Sequence, residues 1–248
     1  MIRALALVII LPATLAAADF KEVNRTVSLS QTGAVTVQNH KGSIHVSTWD
    51  RPEVEIKARI EAEPGSSMDR RRFDGTDVEI SASQDSVRIA THYPDINWDH
   101  GSNPEVRYEM RMPRTARLAI RDHRSEIGIS GLQGALDLET HRRIAHVHGL
   151  SGPLTVNTHR GGIDVEFASF SGHSSVTTHR GSIQLTMPKA SAFDLEADLG
   201  KHASMQSDFS MMTRLAGKRG QNLHGAVNGG GATLRVDTYR GEIRLRAI

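Results

Sequence analysis

Apolar and polar residues alternate along most of this chain, and the alternation recurs in pairs. Leu154–Val165 reads LTVNTHRGGIDV, two short runs with an aliphatic residue at every second position, joined by a polar corner containing glycine. Leu136–Val147 (LDLETHRRIAHV), Val176–Leu185 (VTTHRGSIQL), Leu234–Leu245 (LRVDTYRGEIRL), Val35–Val46 (VTVQNHKGSIHV) and Leu118–Ile129 (LAIRDHRSEIGI) repeat it. A period of two belongs to a strand with one buried face, and glycine supplies positive φ at a tight bend without a Cβ clash. Each repeat therefore reads as strand, corner, strand. The corner arginines Arg124, Arg142, Arg160 and Arg180 lie 18, 18 and 20 residues apart. Two strands and two turns in that length fit one coil of a β-solenoid, whose apolar face is buried only by the coils above and below.

The pattern predicts an all-β, single-domain β-solenoid over residues 19–248. Residues 19–117 are less regular and hairpin-like, 118–205 form regular coils of 18–20 residues, 206–231 are a degenerate, loop-rich coil and 232–248 the final coil. Leu136, Leu138, Ala145 and Val147 point inward from one coil, and Leu154, Val156, Ile163 and Val165 from the next. The same parity turns Asn39, Asp122, Thr140, Thr158, Thr178 and Thr238 inward just before the corner. There they are expected to hydrogen-bond backbone groups that lack ladder partners. Val78–Ile80 and Val87–Ile89 read as a hairpin, and Val106–Met112 as a strand stopped by Pro113. Residues 63–76 (EPGSSMDRRRFDGT) hold a helical turn, read as a solvated insertion. The chain ends at Ile248 directly after a strand, which would leave the last coil uncapped and open to another protein.

The first residues set the compartment. Met1-Ile2-Arg3 is a short positive start, Ala4–Leu15 is almost wholly apolar, and Ala16-Ala17-Ala18 precedes the polar Asp19. This is the layout of a secretory signal peptide over residues 1–18, with cleavage expected after Ala18 and a soluble periplasmic or secreted product. No later apolar run is long enough to span a bilayer. The chain has no cysteine, so no disulfide is expected, although an exported chain could form one. A formal net charge of +2 gives no argument for nucleic acid, so any basic effect has to come from local arrangement.

The run VQNHKGSIHVSTWDRPEVEIKARIEA (37–62), the run YEMRMPRTARLAIRDHRSEIGISGLQGALDLETHRR (108–143), SDFSM (207–211) and NGGGATLRVDTYRGEIRLR (228–246) together cover much of the chain after residue 18. In these strand-glycine patterns the chain resembles the bacterial adhesin-like, DUF4097-type family of exported β-strand-repeat proteins. The resemblance implies a β-solenoid, an envelope or secreted location and no established chemistry. Two features depart from the family pattern. His-Arg stands where small polar residues commonly precede the glycine, and Arg143 and Ser125 replace the corner glycine itself.

The corner residues are the main candidates for function. Equivalent positions on successive coils stack at about 4.8 Å. His123, His141, His159 and His179 would then form one column, with His40 and Tyr239 as outliers. Arg124, Arg142, Arg160 and Arg180 would form another, with Lys41 and Arg240 at its ends. One reading makes the row a binding edge for a polyanion: an acidic polysaccharide, lipopolysaccharide phosphate or anionic lipid headgroups. Protonated histidines would strengthen that binding below about pH 6.5. The other reading solvates the corner and neutralises the arginines with Glu126, Glu139 and Asp164. His146 and His148 share a strand face next to Asp164 and Glu166, a minimal chelating set for a metal that two-histidine spacing alone does not establish. Asp95–Asp99 carries alternating oxygen donors but lacks the glycine of a calcium loop and reads as surface loop. No G-x-S-x-G, Walker or cysteine nucleophile motif is present, and no cofactor is implied. The expected function is a non-catalytic envelope binding or scaffold protein. The alternatives are a carbohydrate lyase or hydrolase using Asp137, Glu139, Asp164 or Glu166, and a structural envelope protein that binds another protein.

Overall fold

The computed structural model describes residues 19–63, 65–95, 102–210, 212–216 and 221–248. The expected signal segment and most of the 95–100 loop lie outside them. The strands in chain order are β1 (Phe20–Ser28), β2 (Ala34–Gln38), β3 (Lys41–Trp49), β4 (Glu53–Glu61), β5 (Asp77–Ala82), β6 (Ser86–His92) and β7 (Glu105–Pro113). They continue with β8 (Arg117–Arg121), β9 (Arg124–Ser130), β10 (Leu136–Arg142), β11 (Ala145–Leu150), β12 (Leu154–Arg160) and β13 (Ile163–Phe167). The last six are β14 (Ser174–Arg180), β15 (Ile183–Met187), β16 (Phe193–Ser207), β17 (Met212–Ala216), β18 (Gln221–Val227) and β19 (Ala232–Ala247). Helix α1 (Ser67–Gly75) is the only helix among the described residues.

These strands build an all-β, solenoid-like stack with two faces that meet at the repeated corner. On the first face β8, β10, β12 and β14 pair in parallel, with Leu118 opposite Leu136, Leu136 opposite Leu154 and Val156 opposite Val176. On the second, β9, β11, β13 and β15 do the same, with Ile127 opposite Ala145, Val147 opposite Val165 and Ile163 opposite Ile183. Aliphatic residues meet like residues in register, so one buried column continues from coil to coil. Leu138, Leu154, Val165, Val176 and Leu185 are fully enclosed. Thr140, Thr158, Thr178 and Thr238 are buried just inside the corner, as the parity requires. Thr140 and Thr238 donate to the Arg142 and Arg240 carbonyls at 3.4 and 3.2 Å, but, contrary to the expected bonding, the Thr158 and Thr178 hydroxyls have no partner among the described residues. Opposite the corner an aromatic chain closes the core, with Phe167–Phe170, Phe170–Phe193 and Phe193–Phe209 centroids 5.3, 5.5 and 5.4 Å apart in edge-on contact.

The stack does not follow chain order at either end. β19 lies between β14/β15 on one side and β16 on the other, parallel to all three. β2/β3 likewise lie between β6/β7 and β8/β9. The final strand is thus enclosed, contrary to the uncapped end expected from the sequence. Residues 206–231 are not a degenerate coil either. They contain β17 and β18, which run antiparallel to each other, and β18 runs antiparallel to β16 and covers its edge. At the other end β4 runs antiparallel to β7, β1 to β4, and β5 to β6 as the expected hairpin. Antiparallel strands end the parallel stack by presenting a differently spaced row of backbone groups.

Helix α1 is docked rather than solvated. Ser66 caps it, with its backbone N–H donating to Asp69 Oδ2 at 2.7 Å and the Asp69 N–H returning to Ser66 Oγ at 3.4 Å. Arg72 and Phe73 are buried. Lys21 Nζ donates to the carbonyls of Phe73, Asp74 and Thr76 at 2.8, 2.8 and 3.1 Å, satisfying the helix C-terminus with a cation.

Candidate functional site

The corner brings a column of rings together. His40, His123, His141, His159, His179 and Tyr239 stack in sequence with centroids 4.8, 4.7, 4.7, 5.0 and 5.1 Å apart and planes within 1 to 11° of parallel. Tyr93 meets His40 edge-on at 5.9 Å and closes one end. His40 and Tyr239 are therefore full members of the column, not outliers. Their equivalence was visible in the repeat, but only the tertiary pairing sets β2 beside β8 and β19 beside β14.

The column forms because each histidine follows an inward threonine, asparagine or aspartate and precedes the bend. Backbone parity then points every ring the same way at the strand spacing. Gly181 and Gly241 make the bend with φ of 158° and 132°, and a Cβ on either would stand 1.7 or 1.8 Å from a carbonyl oxygen of the neighbouring corner. Arg143 occupies this place in its own coil with φ of 89°, a left-handed conformation that costs a non-glycine residue strain.

At His40, His123 and His159 packing and charge both oppose protonation. Burial lowers the pKa of His40, helped by Arg124 and Lys41. Burial lowers that of His123, followed by the charges of His40, His141, Arg124 and Arg142. His159 is lowered by desolvation and then by His141, His179, Arg160 and Arg180. At His123 and His159 a proton on a neighbouring ring adds to that cost.

The arginine row lies beside the rings. In register, Lys41 faces Arg124, Arg142 faces Arg160, Arg160 faces Arg180, and Arg180 faces Arg240. The Arg142 N–H donates to the His123 carbonyl at 3.1 Å, joining the two halves of the row. Beyond Arg240 the next register position is His202, which sequence reading did not pick out. Arg124, Arg142, Arg160, Arg180 and Arg240 are all exposed, and among the described residues none has a carboxylate within ion-pair distance. Arginines on neighbouring rows differ. Arg121 pairs with Asp137 and Glu139 at 2.5 and 3.2 Å, Arg235 with Asp237 at 3.1 Å, and Arg244 with Glu242 at 2.7 Å. The neutralisation expected from Glu139 and Asp164 is thus not made. Glu139 serves Arg121, and Asp164 stands 3.6 Å from His146. Lys41, by contrast, pairs with Glu63 and lies 3.8 Å from Glu105.

Asp122 is the exception among the inward corner residues. Ser125 replaces the corner glycine there, and it donates from Oγ to Asp122 Oδ1 at 2.5 Å and from its backbone N–H to Oδ2 at 2.6 Å. The two departures from the repeat complement each other. Burial raises the Asp122 pKa to about 6, against the bonds from Ser125, the His123 backbone and Thr140.

The four carboxylates considered for catalysis lie in pairs on the two different faces. Asp137 and Glu139 lie on β10 and are engaged by Arg121, while Asp164 and Glu166 lie on β13 beside His146 and His148. No helix among the described residues is long and apolar enough to cross a membrane.

The fold and this edge define a class, an all-β repeat protein of stacked strand–corner–strand units with a column of rings and a row of arginines along one corner. The chain belongs to the Toastrack DUF4097 family, which it matches over residues 15–246. Among solved structures it is similar to a protein from Clostridium sporogenes provisionally named as a cell adhesion protein, with 10% identity, 93% of this chain and 100% of that chain covered, and a TM-score of 0.50. It is also similar to a provisionally named adhesin from Bacteroides fragilis, with 8% identity, 92% and 97% covered, and a TM-score of 0.43. No curated protein matches it.

Proposed function

We propose that this chain is an exported, non-catalytic envelope protein that binds an acidic polysaccharide along its His-Arg edge. The carrying observation is the row of five exposed arginines, with no carboxylate partner among the described residues, beside a continuous stack of rings. Cations held about 4.8 Å apart repel one another, and an anion bound alongside relieves that cost. Guanidinium groups also give carboxylates a planar, two-pronged partner. A single straight row fits a linear polymer better than a plane of lipid headgroups. The adhesion name of the Clostridium sporogenes protein that shares the fold agrees with a surface-binding role.

The test is binding of the signal-free protein to polygalacturonate, with phosphatidylglycerol vesicles as a second arm, beside an Arg142→Ser/Arg160→Ser/Arg180→Ser variant. At about 0.5 kcal/mol for each exposed contact, loss of three comes to about 1.5 kcal/mol, close to tenfold in Kd. Equal binding by both proteins removes the edge from consideration, and vesicle binding without polymer binding moves the ligand to the lipid.

A further inference from the structure

The second face carries another constellation, away from the corner. His146 and His148 are two residues apart on β11, so both rings stand on the same outward face. Asp164 and Glu166 face them in register on β13. His148 Nδ1 lies 2.9 Å from Glu166 Oε2, and His146 Nδ1 is turned the same way, 3.6 Å from Asp164 Oδ2. An ionised carboxylate only accepts, so Nδ1 of His148 carries the proton and its Nε2 keeps a lone pair. On the other flank, Gly128 of β9 sits in register between His146 and His45. The His45 ring leans into the space the glycine leaves, where a Cβ on residue 128 would stand 2.9 Å from its Cδ2. All three rings line one open groove of about 470 Å³.

Imidazoles two apart on a strand with a third from a nearby strand are a zinc-type donor set. A carboxylate on the remote nitrogen is the usual outer-shell support, because it fixes the tautomer and aims the ring. We propose that this groove binds a divalent transition metal of the zinc class through Nε2 of His146 and His148. His45 supplies the third nitrogen and water completes a tetrahedron. Among the described residues no three ligating side chains already meet at one point. The movement required is rotation of His45, an exposed side chain over a glycine, about its own side-chain bonds. Bound metal would tie β3 to β11 across β9 without involving the arginine edge.

The experiment is calorimetric titration of zinc chloride into tag-free, chelator-treated protein, with cobalt(II) followed by its visible absorption as a readout of tetrahedral coordination. One equivalent is expected. The His146→Ala/His148→Ala protein should lose it. Glu166→Gln, which keeps the ring but not its anionic support, should bind about 10- to 100-fold more weakly. Gly128→Ala should also weaken binding by pushing His45 aside, and His141→Asn/His159→Asn in the corner column should leave zinc uptake unchanged. The proposal is overturned if the folded wild type takes up no zinc, if uptake survives the His146/His148 change, or if uptake is lost in the corner variant instead.

Discussion

Asp122→Asn separates the cost of a buried charge from the hydrogen bonds around it. The Asp122 carboxyl is raised from an ordinary 3.8 to about 6, chiefly by burial. It therefore holds its proton more tightly in the folded chain than in the unfolded one. The group favours folding most below pH 4, and that advantage is lost as pH rises to 6 and beyond. At about 1.4 kcal/mol for each tenfold, the rise corresponds to roughly 3 kcal/mol. Asparagine preserves the geometry, because its oxygen accepts the Ser125 N–H and its amide donates to Ser125 Oγ. Asn39 already makes that last contact from the adjacent coil at 3.0 Å. Urea unfolding of both proteins at pH 4, 5, 6 and 7 measures the effect. The stability of the variant relative to wild type should climb by about 2.4 kcal/mol from pH 4 to 7, with about 2 kcal/mol of it below pH 6. The lowered pKa values of His40, His123 and His159 act in the opposite sense, removing stability as pH falls below 6.5, but Asp122 is not among their causes, so they are common to both proteins and cancel in the difference. A difference that stays constant across this range would refute the assignment of the cost to a buried carboxylate.

Two further outcomes follow from the corner and the strand order. Arg143→Gly should raise stability by about 1 kcal/mol, since relief of about 1–2 kcal/mol of left-handed strain outweighs the extra unfolded-state freedom of glycine. Thermal unfolding checks it, and a fall in Tm would contradict the strain. Deleting residues from Ala232 onward should abolish cooperative unfolding, because β19 pairs with β14, β15 and β16 at once. A folded, merely shortened protein would show that the strand is peripheral.

Much of the corner was legible in the chain. Thr158 and Thr178 were assigned inward from parity alone, and both are buried. The departures at Ser125 and Arg143 were visible too, but their meanings differ and only contacts separate them. Ser125 is matched by Asp122, whereas Arg143 carries a strained backbone. The groove at His45 was not legible, because His45 and His146 lie a hundred residues apart and meet only through Gly128. Helix α1 looked like a solvated insertion because its arginines dominate its composition, while Phe73 and the Lys21 contacts that dock it are single residues.

The sequence by itself determined the two-residue alternation, the side of each residue, the place of each bend and therefore which residues can stand at a corner. These are local consequences of strand geometry. It did not determine the order in which the coils stack. Leu136, Leu154 and Leu234 offer nearly the same inward face, so backbone pairing and apolar burial alone favour several neighbours almost equally. The tertiary structure settled the order through its ends, where the antiparallel β4 and β18 cover β7 and β16 and leave β2/β3 and β19 inside the stack. With β19 enclosed beside β14, Tyr239 and Arg240 extend the ring and arginine columns by one rung.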